Sequence, residues 1–301
     1  MIRRDFLKNA AIAAGALSLA PAEFISGAAP KGEKLSPAPL RKSIMWGTVG
    51  MKGSVLEKCK AVKAAGFDGI EPNSHMDRSE IIDAMAQTGL VASSVCNSKH
   101  WELLLSSPDP KVRKEGIDAQ IHAMMDASLY GTDAVLLVPG RVDETTSYDE
   151  CWKRSTECIK ELIPVARELK VKICIENVWN NFLLSPMEAR NFVDQFNSKW
   201  VKFYFDCGNV LKFGWPEQWV KILGDRIGRI HIKEFSRTIE NTQGAYKGFN
   251  VELGDGEVNW DAVMAQIKSS YCGGWLTTEQ GANSSPAQLA DLCNRLEKII
   301  K

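Results

Sequence analysis

Along the chain, short unbroken runs of apolar residues alternate with longer stretches in which apolar positions recur at helical spacing. An unbroken run bounded by Gly, Pro or Asn reads as a buried strand, and the i, i+3, i+4 pattern reads as a helix with one apolar face. The pattern predicts strands over residues 43–49, 66–72, 90–97, 133–138, 172–177, 201–207, 227–235 and 275–279. Between and after them it predicts helices over 54–65, 78–87, 109–130, 148–169, 186–196, 216–223, 260–271 and 286–300. Ser54 is placed to cap the first helix and Gly66 to end it. Proline stands near the start of several others, where its missing N–H would lack an intrahelical partner in any case. Strand alternating with helix, eight times, predicts an α/β chain folded as a single (β/α)8 TIM barrel over residues 43–301. The β-branched, apolar character of the strands fits a parallel sheet covered on both faces. An open doubly wound sheet is the competing architecture, but no Gly-x-Gly-x-x-Gly follows the first strand.

Four of the runs end in residues able to bind a metal. Lys172-Ile-Cys-Ile closes on Glu176, Val201-Lys-Phe-Tyr-Phe on Asp206, Ile227-Gly-Arg-Ile on His231, and Gly274-Trp-Leu-Thr-Thr on Glu279. In a parallel barrel the C-terminal strand ends and the loops after them build the active site. Glu176, Asp206, His231 and Glu279 would then share one mouth. A set of carboxylate oxygens with one imidazole suits a divalent ion, Mn²⁺ foremost, with Mg²⁺, Co²⁺ or Zn²⁺ less favoured. Other strand ends add polar groups that a carbohydrate could use: Glu71 and His75 after the second strand, His100 and Trp101 after the third, and Arg141 after the fourth. Asn177, Asn209, Lys233 and Arg237 follow the fifth, sixth and seventh. Lys233 lies two residues beyond His231, so strand alternation points both side chains the same way.

Composition changes the picture little. The 301 residues are 45% hydrophobic and 25% charged, ordinary globular usage, and the formal net charge is +0. Neither a basic excess nor a basic face suggests a nucleic-acid partner. The first residues carry a different message. Arg3-Arg4-Asp5-Phe6-Leu7-Lys8 resembles a twin-arginine export motif, followed by an apolar run over 10–19 and small residues at Ala20-Pro21-Ala22. That run is short of the roughly 20 apolar residues a membrane span needs. Residues 1–22 are therefore expected to be a removable signal and 23–42 a linker, leaving an exported, periplasmic chain without an integral membrane segment. Loss of Arg3, Arg4 and Lys8 against Asp5 would leave a net charge of −2. The eight cysteines are scattered without CxxC spacing and read as buried thiols rather than ligands.

From about residue 43 to 301 the chain resembles the xylose-isomerase-like TIM barrels, a superfamily of sugar isomerases and epimerases. Within it, the pentulose-5-phosphate and ketose 3-epimerases are the nearest likeness. The segments that carry this are Ile175-Glu-Asn-Val-Trp-Asn180, Phe205-Asp-Cys-Gly-Asn209, His231-Ile-Lys-Glu234, Leu253-Gly-Asp-Gly-Glu-Val-Asn-Trp260 and Ser270-Tyr-Cys-Gly-Gly-Trp-Leu-Thr-Thr-Glu279. The resemblance implies one metal ion on Glu176, Asp206, His231 and Glu279, with Glu176 and Glu279 also moving protons. It implies substrate contact by Arg237, six residues beyond the histidine. The pattern departs at Asn209, where many relatives have histidine, and at Phe182, an acid in some ketose epimerases. The implied activity is epimerisation or isomerisation of a keto-sugar. A carboxylate would remove the proton beside a metal-bound carbonyl, through an enediolate. The same enolate could expel a leaving group, which would make the chain a lyase on a 3-keto-glycoside. A non-catalytic sugar-binding barrel is a third reading. A multi-metal endonuclease of the same fold is disfavoured by four histidines and a neutral charge. The expected partner is a small carbohydrate, and a homo-oligomer is compatible with the sequence.

Overall fold

The structure is a computed structural model and describes residues 39–271 and 273–301. The expected signal segment and most of the expected linker lie outside the described residues. Nine parallel strands form the sheet: β1 (Arg41–Met45), β2 (Gly69–Glu71), β3 (Val91–Ala92), β4 (Val95–Cys96), β5 (Ala134–Leu137), β6 (Lys172–Glu176), β7 (Val201–Asp206), β8 (Ile227–Ile232) and β9 (Trp275–Thr278). Their order is β3-β2-β1-β9-β8-β7-β6-β5-β4. Since β3 and β4 are consecutive in the chain, that order closes on itself as a barrel. Around it run α1 (Val55–Ala64), α2 (Arg78–Thr88), α3 (Pro110–Leu129), α4 (Tyr148–Leu169), α5 (Pro186–Asp194), α6 (Cys207–Leu211), α7 (Pro216–Leu223), α8 (Arg237–Gln243), α9 (Trp260–Ser270) and α10 (Pro286–Ile300). No helix of the described residues is long and apolar enough to cross a membrane.

The helices begin where their side chains satisfy free N–H groups. Ser54 and Glu57 form a reciprocal capping box on α1, and Ser185 and Glu188 do the same on α5. Proline occupies the first turn of α3, α5, α7 and α10.

Two expectations are corrected. The first strand starts at Arg41, inside the stretch read as linker, because the Arg41 N–H donates to the Gly274 carbonyl and the strand pairs with β9. The third strand, expected unbroken over 90–97, is split. The Ser93 carbonyl turns to accept from Arg229 Nε at 2.7 Å and Thr132 Oγ1 at 2.9 Å, so it leaves the ladder. The short helices α6 and α8 fall in loops that carry no helical periodicity of their own.

Strand alternation sorts the side chains into two populations. Ile44, Ile70, Val135, Ile173, Phe203, Ile230 and Leu276 join the large cluster between sheet and helices. Cys96, Leu136, Cys174 and Tyr204 form a separate small cluster. That smaller cluster shares the opposite face of the strands with a polar column. Low in it, Ser93 Oγ pairs with Ser43 Oγ at 2.8 Å and Thr277 Oγ1 at 3.3 Å, and Arg229 pairs with Asp133 at 2.5 Å. Higher up, Tyr204 and Ser94 donate to Glu71. Among the described residues the seven cysteines Cys59, Cys96, Cys151, Cys158, Cys174, Cys207 and Cys293 are free and buried.

Candidate metal centre and pocket

Each of the four candidate ligands stands at a strand's C-terminal end. Glu176 ends β6, Asp206 ends β7, His231 lies one residue before the end of β8, and Glu279 follows β9. Ladder register aligns Glu176 with Tyr204, Asp206 with His231, and His231 with Thr277. One ligand atom from each of the four lies within 4.8 Å of the others. His231 Nδ1 is 2.9 Å from Glu176 Oε1, 3.2 Å from Glu279 Oε2 and 3.9 Å from Asp206 Oδ2.

The donor set fits a divalent cation. Asp206 is fully buried, and its two oxygens are used differently. Oδ1 accepts the Asn209 N–H at 2.6 Å and so caps α6, while Oδ2 has no hydrogen-bond partner among the described residues. A buried carboxylate oxygen without a donor is costly, and a cation among three carboxylates removes that cost. The imidazole is oriented from behind, since Nε2 meets Glu71 Oε2 at 2.8 Å. Glu71 is held in turn by Tyr204 OH at 2.8 Å and Ser94 Oγ at 2.6 Å. A carboxylate behind a histidine fixes the ring and leaves the other nitrogen, here Nδ1, for the ligand side.

The charges are strongly coupled. Burial raises the Glu176 carboxyl, and the hydrogen bond from His231 only partly offsets it. Burial also pushes Asp206 well up, against the pull of Lys233. Glu279 goes the other way. Burial would raise it, but the Lys233 ammonium, with Nζ at 3.0 Å, and His231 hold it low. Burial would lower His231, yet the surrounding carboxylates, Glu71 foremost, hold its pKa well above the usual imidazole value. Like charges crowded at one site separate in proton affinity in this way.

The cluster opens into a pocket of about 530 Å³. Glu176, His231, Lys233 and Glu279 form part of its wall, and His100, Trp101, Arg141 and Asn209 line it as well. His100 is buried, and that burial lowers its pKa to about 4, so the ring is neutral. Arg141 leans on Asp143 at 3.0 Å.

Four expected substrate contacts stand outside the wall of this pocket, although one of them, Asn177, lines a neighbouring hollow. Glu71 is fully buried behind His231, a positioning group rather than part of the wall. His75 lies on another face, stacked on His122 with centroids 4.0 Å apart, in a hollow shared with Arg78. Asn177 bridges strand ends. Its amide donates to the Asp206 carbonyl at 3.0 Å and accepts the Asp206 N–H at 2.9 Å. Arg237 donates to the carbonyls of Leu211 and Gly214, both at 2.7 Å, and its guanidinium lies over Trp215. In each case backbone or buried partners use the polar atoms first.

Sequence reasoning missed other groups. Met45, Leu136, Tyr246 and Phe249 line the pocket, and apolar residues give no sign of that in a sequence. Glu234 is fully buried, and its carboxylate accepts from the N–H groups of Gly254 and Val258 and from Trp260 Nε1. A Cβ on Gly256 would meet Glu234 Cγ at 2.5 Å. This close approach explains the glycine at 256, and a φ of 89° explains the one at 254. Gln280 ties down the same region, donating to the Phe249 and Val251 carbonyls.

The model of the xylose isomerase-like TIM barrel family matches residues 59–299. The L-ribulose-5-phosphate 3-epimerase UlaE of Salmonella paratyphi C (strain RKS4594) is 27% identical over 238 residues, covering 73% of this chain and 80% of that protein. UlaE of Escherichia coli O1:K1 / APEC is 26% identical over the same length and coverage. Among solved structures, D-psicose 3-epimerase in the presence of D-fructose superposes with a TM-score of 0.71 at 17% identity, covering 86% of this chain and 98% of that one. The 3-keto-D-glucoside 4-epimerase YcjR of E. coli gives 0.70 at 17% identity, with the same two coverages. The two solved structures establish the fold, an α/β barrel of parallel strands with surrounding helices.

Proposed function

This chain belongs to the xylose isomerase-like TIM barrel family, and from that premise we propose that it is a metal-dependent sugar epimerase or isomerase. The observation that carries the proposal is the site itself. Glu176, Asp206, His231 and Glu279 bring one atom each within 4.8 Å, and Asp206 keeps an oxygen without a donor. A divalent cation held there, Mn²⁺ by the hard, mostly oxygen donor set with one imidazole, would supply Lewis-acid polarisation of a substrate carbonyl.

The chain's own residues do the rest. Glu279 and Glu176 reach the centre from β9 and β6, which β7 and β8 separate, so they approach a bound sugar from different sides. One takes the proton from the carbon beside the carbonyl, and the other returns a proton to that carbon's opposite face. Lys233 keeps Glu279 in its basic form through the 3.0 Å ion pair. Asn177 and Glu71 act at a distance by fixing Asp206 and His231. The buried, low-dielectric setting strengthens these charge contacts.

The test is NMR in D₂O with metal-loaded protein and a panel of free ketoses. Deuterium entering at the carbon beside the carbonyl, with a new stereoisomer, supports the reading. No exchange with any ketose counts against it. Expulsion of a leaving group by the same proton abstraction would mark a lyase, and a released aglycone from a keto-glycoside is its signature.

We further infer export by the twin-arginine route, on the strength of Arg3-Arg4 and the apolar run behind them. Replacing both arginines by lysine and fractionating cells checks it. Equal amounts outside the cytoplasm with and without the replacement would discard the idea.

A further inference from the structure

Beside the main pocket lies a second hollow of about 290 Å³. Val178, Trp179, Asn209 and Tyr246 line both, so the second hollow adjoins the first as an annex. Its walls are aromatic. Trp179 is tilted against Tyr246, with centroids 5.2 Å apart, and meets Phe213 edge-on at 6.3 Å. Phe213 is 60% exposed and Tyr246 73% exposed, a large apolar surface to leave in water at the rim of a pocket. The loop beneath them is strained: Asn181 and Leu183, both lining the annex, have φ of 58° and 55°, in the left-handed region. Non-glycine residues held there in one short loop mark a shape the surrounding fold enforces.

The charges add a second constraint. Lys212 in the annex pairs with Glu240 at 2.5 Å, Lys233 with Glu279 at 3.0 Å, and Arg141 with Asp143 at 3.0 Å. Arg237 is bound to two backbone carbonyls. His100 is neutral. Among the described residues lining the two hollows, every lysine and arginine therefore already faces a carboxylate. A phosphate ester would have to share a cation with one of these carboxylates, against like-charge repulsion, whereas an uncharged ring with an apolar face displaces only water.

We propose that the annex binds the second ring of an uncharged glycoside, an aryl group or a second sugar, whose keto-sugar ring occupies the main pocket against Glu176, His231 and Glu279. Phe213, Tyr246 and Trp179 cover the flat face of that second ring. The annex thereby sets the substrate class as a neutral two-ring molecule rather than a sugar phosphate. This rests on the sugar-enzyme reading above for the occupant of the main pocket only.

The test is binding to the metal-loaded protein by calorimetry or ligand-observed NMR. The probes are methyl β-D-glucopyranoside, phenyl β-D-glucopyranoside, cellobiose, L-ribulose and L-ribulose 5-phosphate. The phenyl glucoside or cellobiose should bind about tenfold more tightly than the methyl glucoside, the scale of one aromatic contact. Whichever of the two binds better tells an aryl from a sugar second ring. Phe213→Ala, at an exposed position that lines the annex and not the main pocket, should erase that advantage and leave the methyl glucoside unchanged. L-ribulose 5-phosphate should bind no more tightly than L-ribulose. Equal binding of the methyl, phenyl and cellobiose probes, an advantage that survives Phe213→Ala, or a tighter phosphate would overturn the proposal. A chain that prefers two-ring ligands through Phe213 yet exchanges no deuterium keeps the annex and loses the epimerase reading, and the reverse result does the opposite.

Discussion

Two polar clusters share the barrel interior, and they are built on opposite rules. In the lower one Arg229 faces Asp133 and the Ser93 carbonyl, and Ser43, Ser93 and Thr277 exchange hydroxyl contacts. The one carboxylate there meets two cations, Arg229 and Lys172. In the upper one four carboxylates, those of Glu71, Glu176, Asp206 and Glu279, crowd one imidazole and the Lys233 ammonium, and Asp206 Oδ2 has no hydrogen-bond partner among the described residues. Strand alternation places both, and the same tyrosine-bearing strand runs past both, although Asp133 at the bottom is half-exposed and Glu71, Glu176 and Asp206 at the top are buried. What differs is whether the protein supplies enough counter-charge of its own. A cluster that does so serves the fold. One that leaves an oxygen and an excess of negative charge is arranged for something that arrives from outside.

That contrast can be broken from either end. The largest effect is expected at the top. Glu279→Gln should slow deuterium exchange into a ketose by about 10³-fold, while far-UV circular dichroism shows the same secondary structure. Undiminished exchange would discard the role of the second carboxylate.

At the bottom the pattern should invert. Arg229→Met leaves half-exposed Asp133 to Lys172 at 2.6 Å and takes a donor from the Ser93 and Gly228 carbonyls, and should cost about 1–3 kcal/mol of stability by urea denaturation. Metal affinity of the protein that remains folded should hardly change.

His100 sharpens the comparison between buried histidines. Unlike His231 it has no carboxylate against it, and burial lowers it from 6.5 to about 4. Between those values the unfolded chain binds the extra proton. The stability tied to a neutral His100 is therefore complete above pH 6.5 and is lost as pH falls toward 4, about 2 kcal/mol between pH 7 and pH 5. His100→Gln should flatten that part of the urea-stability profile, and an unchanged slope would show that the ring is not held neutral.

The smallest effect is expected one step behind the ligands. Glu71→Gln keeps the shape but weakens the hold on His231 Nε2, and should lower metal affinity about 10–100-fold. An affinity unchanged by that substitution would mean that the imidazole needs no support from behind.

Most of the barrel and all four clustered residues were legible in the sequence, for one reason: period-two and period-3.6 patterns record which face of each element is buried. Glu176, Asp206, His231 and Glu279 end apolar runs, and a parallel barrel turns run ends into one mouth. The split at Ser93 was not legible, because it depends on Arg229 and Thr132, distant in sequence, capturing one carbonyl. Nor were the fates of Asn177, His75 and Arg237. A polar side chain after a strand can face the pocket or satisfy a neighbouring backbone group, and only the packed loops decide which. Tyr246 and Phe249 could not be foreseen as pocket walls, since they come from the long loop after β8 that Gln280 and Glu234 fold back over the mouth.

The most direct test of the central claim is a calorimetric titration of chelator-treated protein with Mn²⁺, run beside Asp206→Asn. One ion should bind per chain in the unaltered protein, and the substitution should abolish that binding. No binding in the unaltered protein, or the same stoichiometry and affinity in the variant, would contradict it.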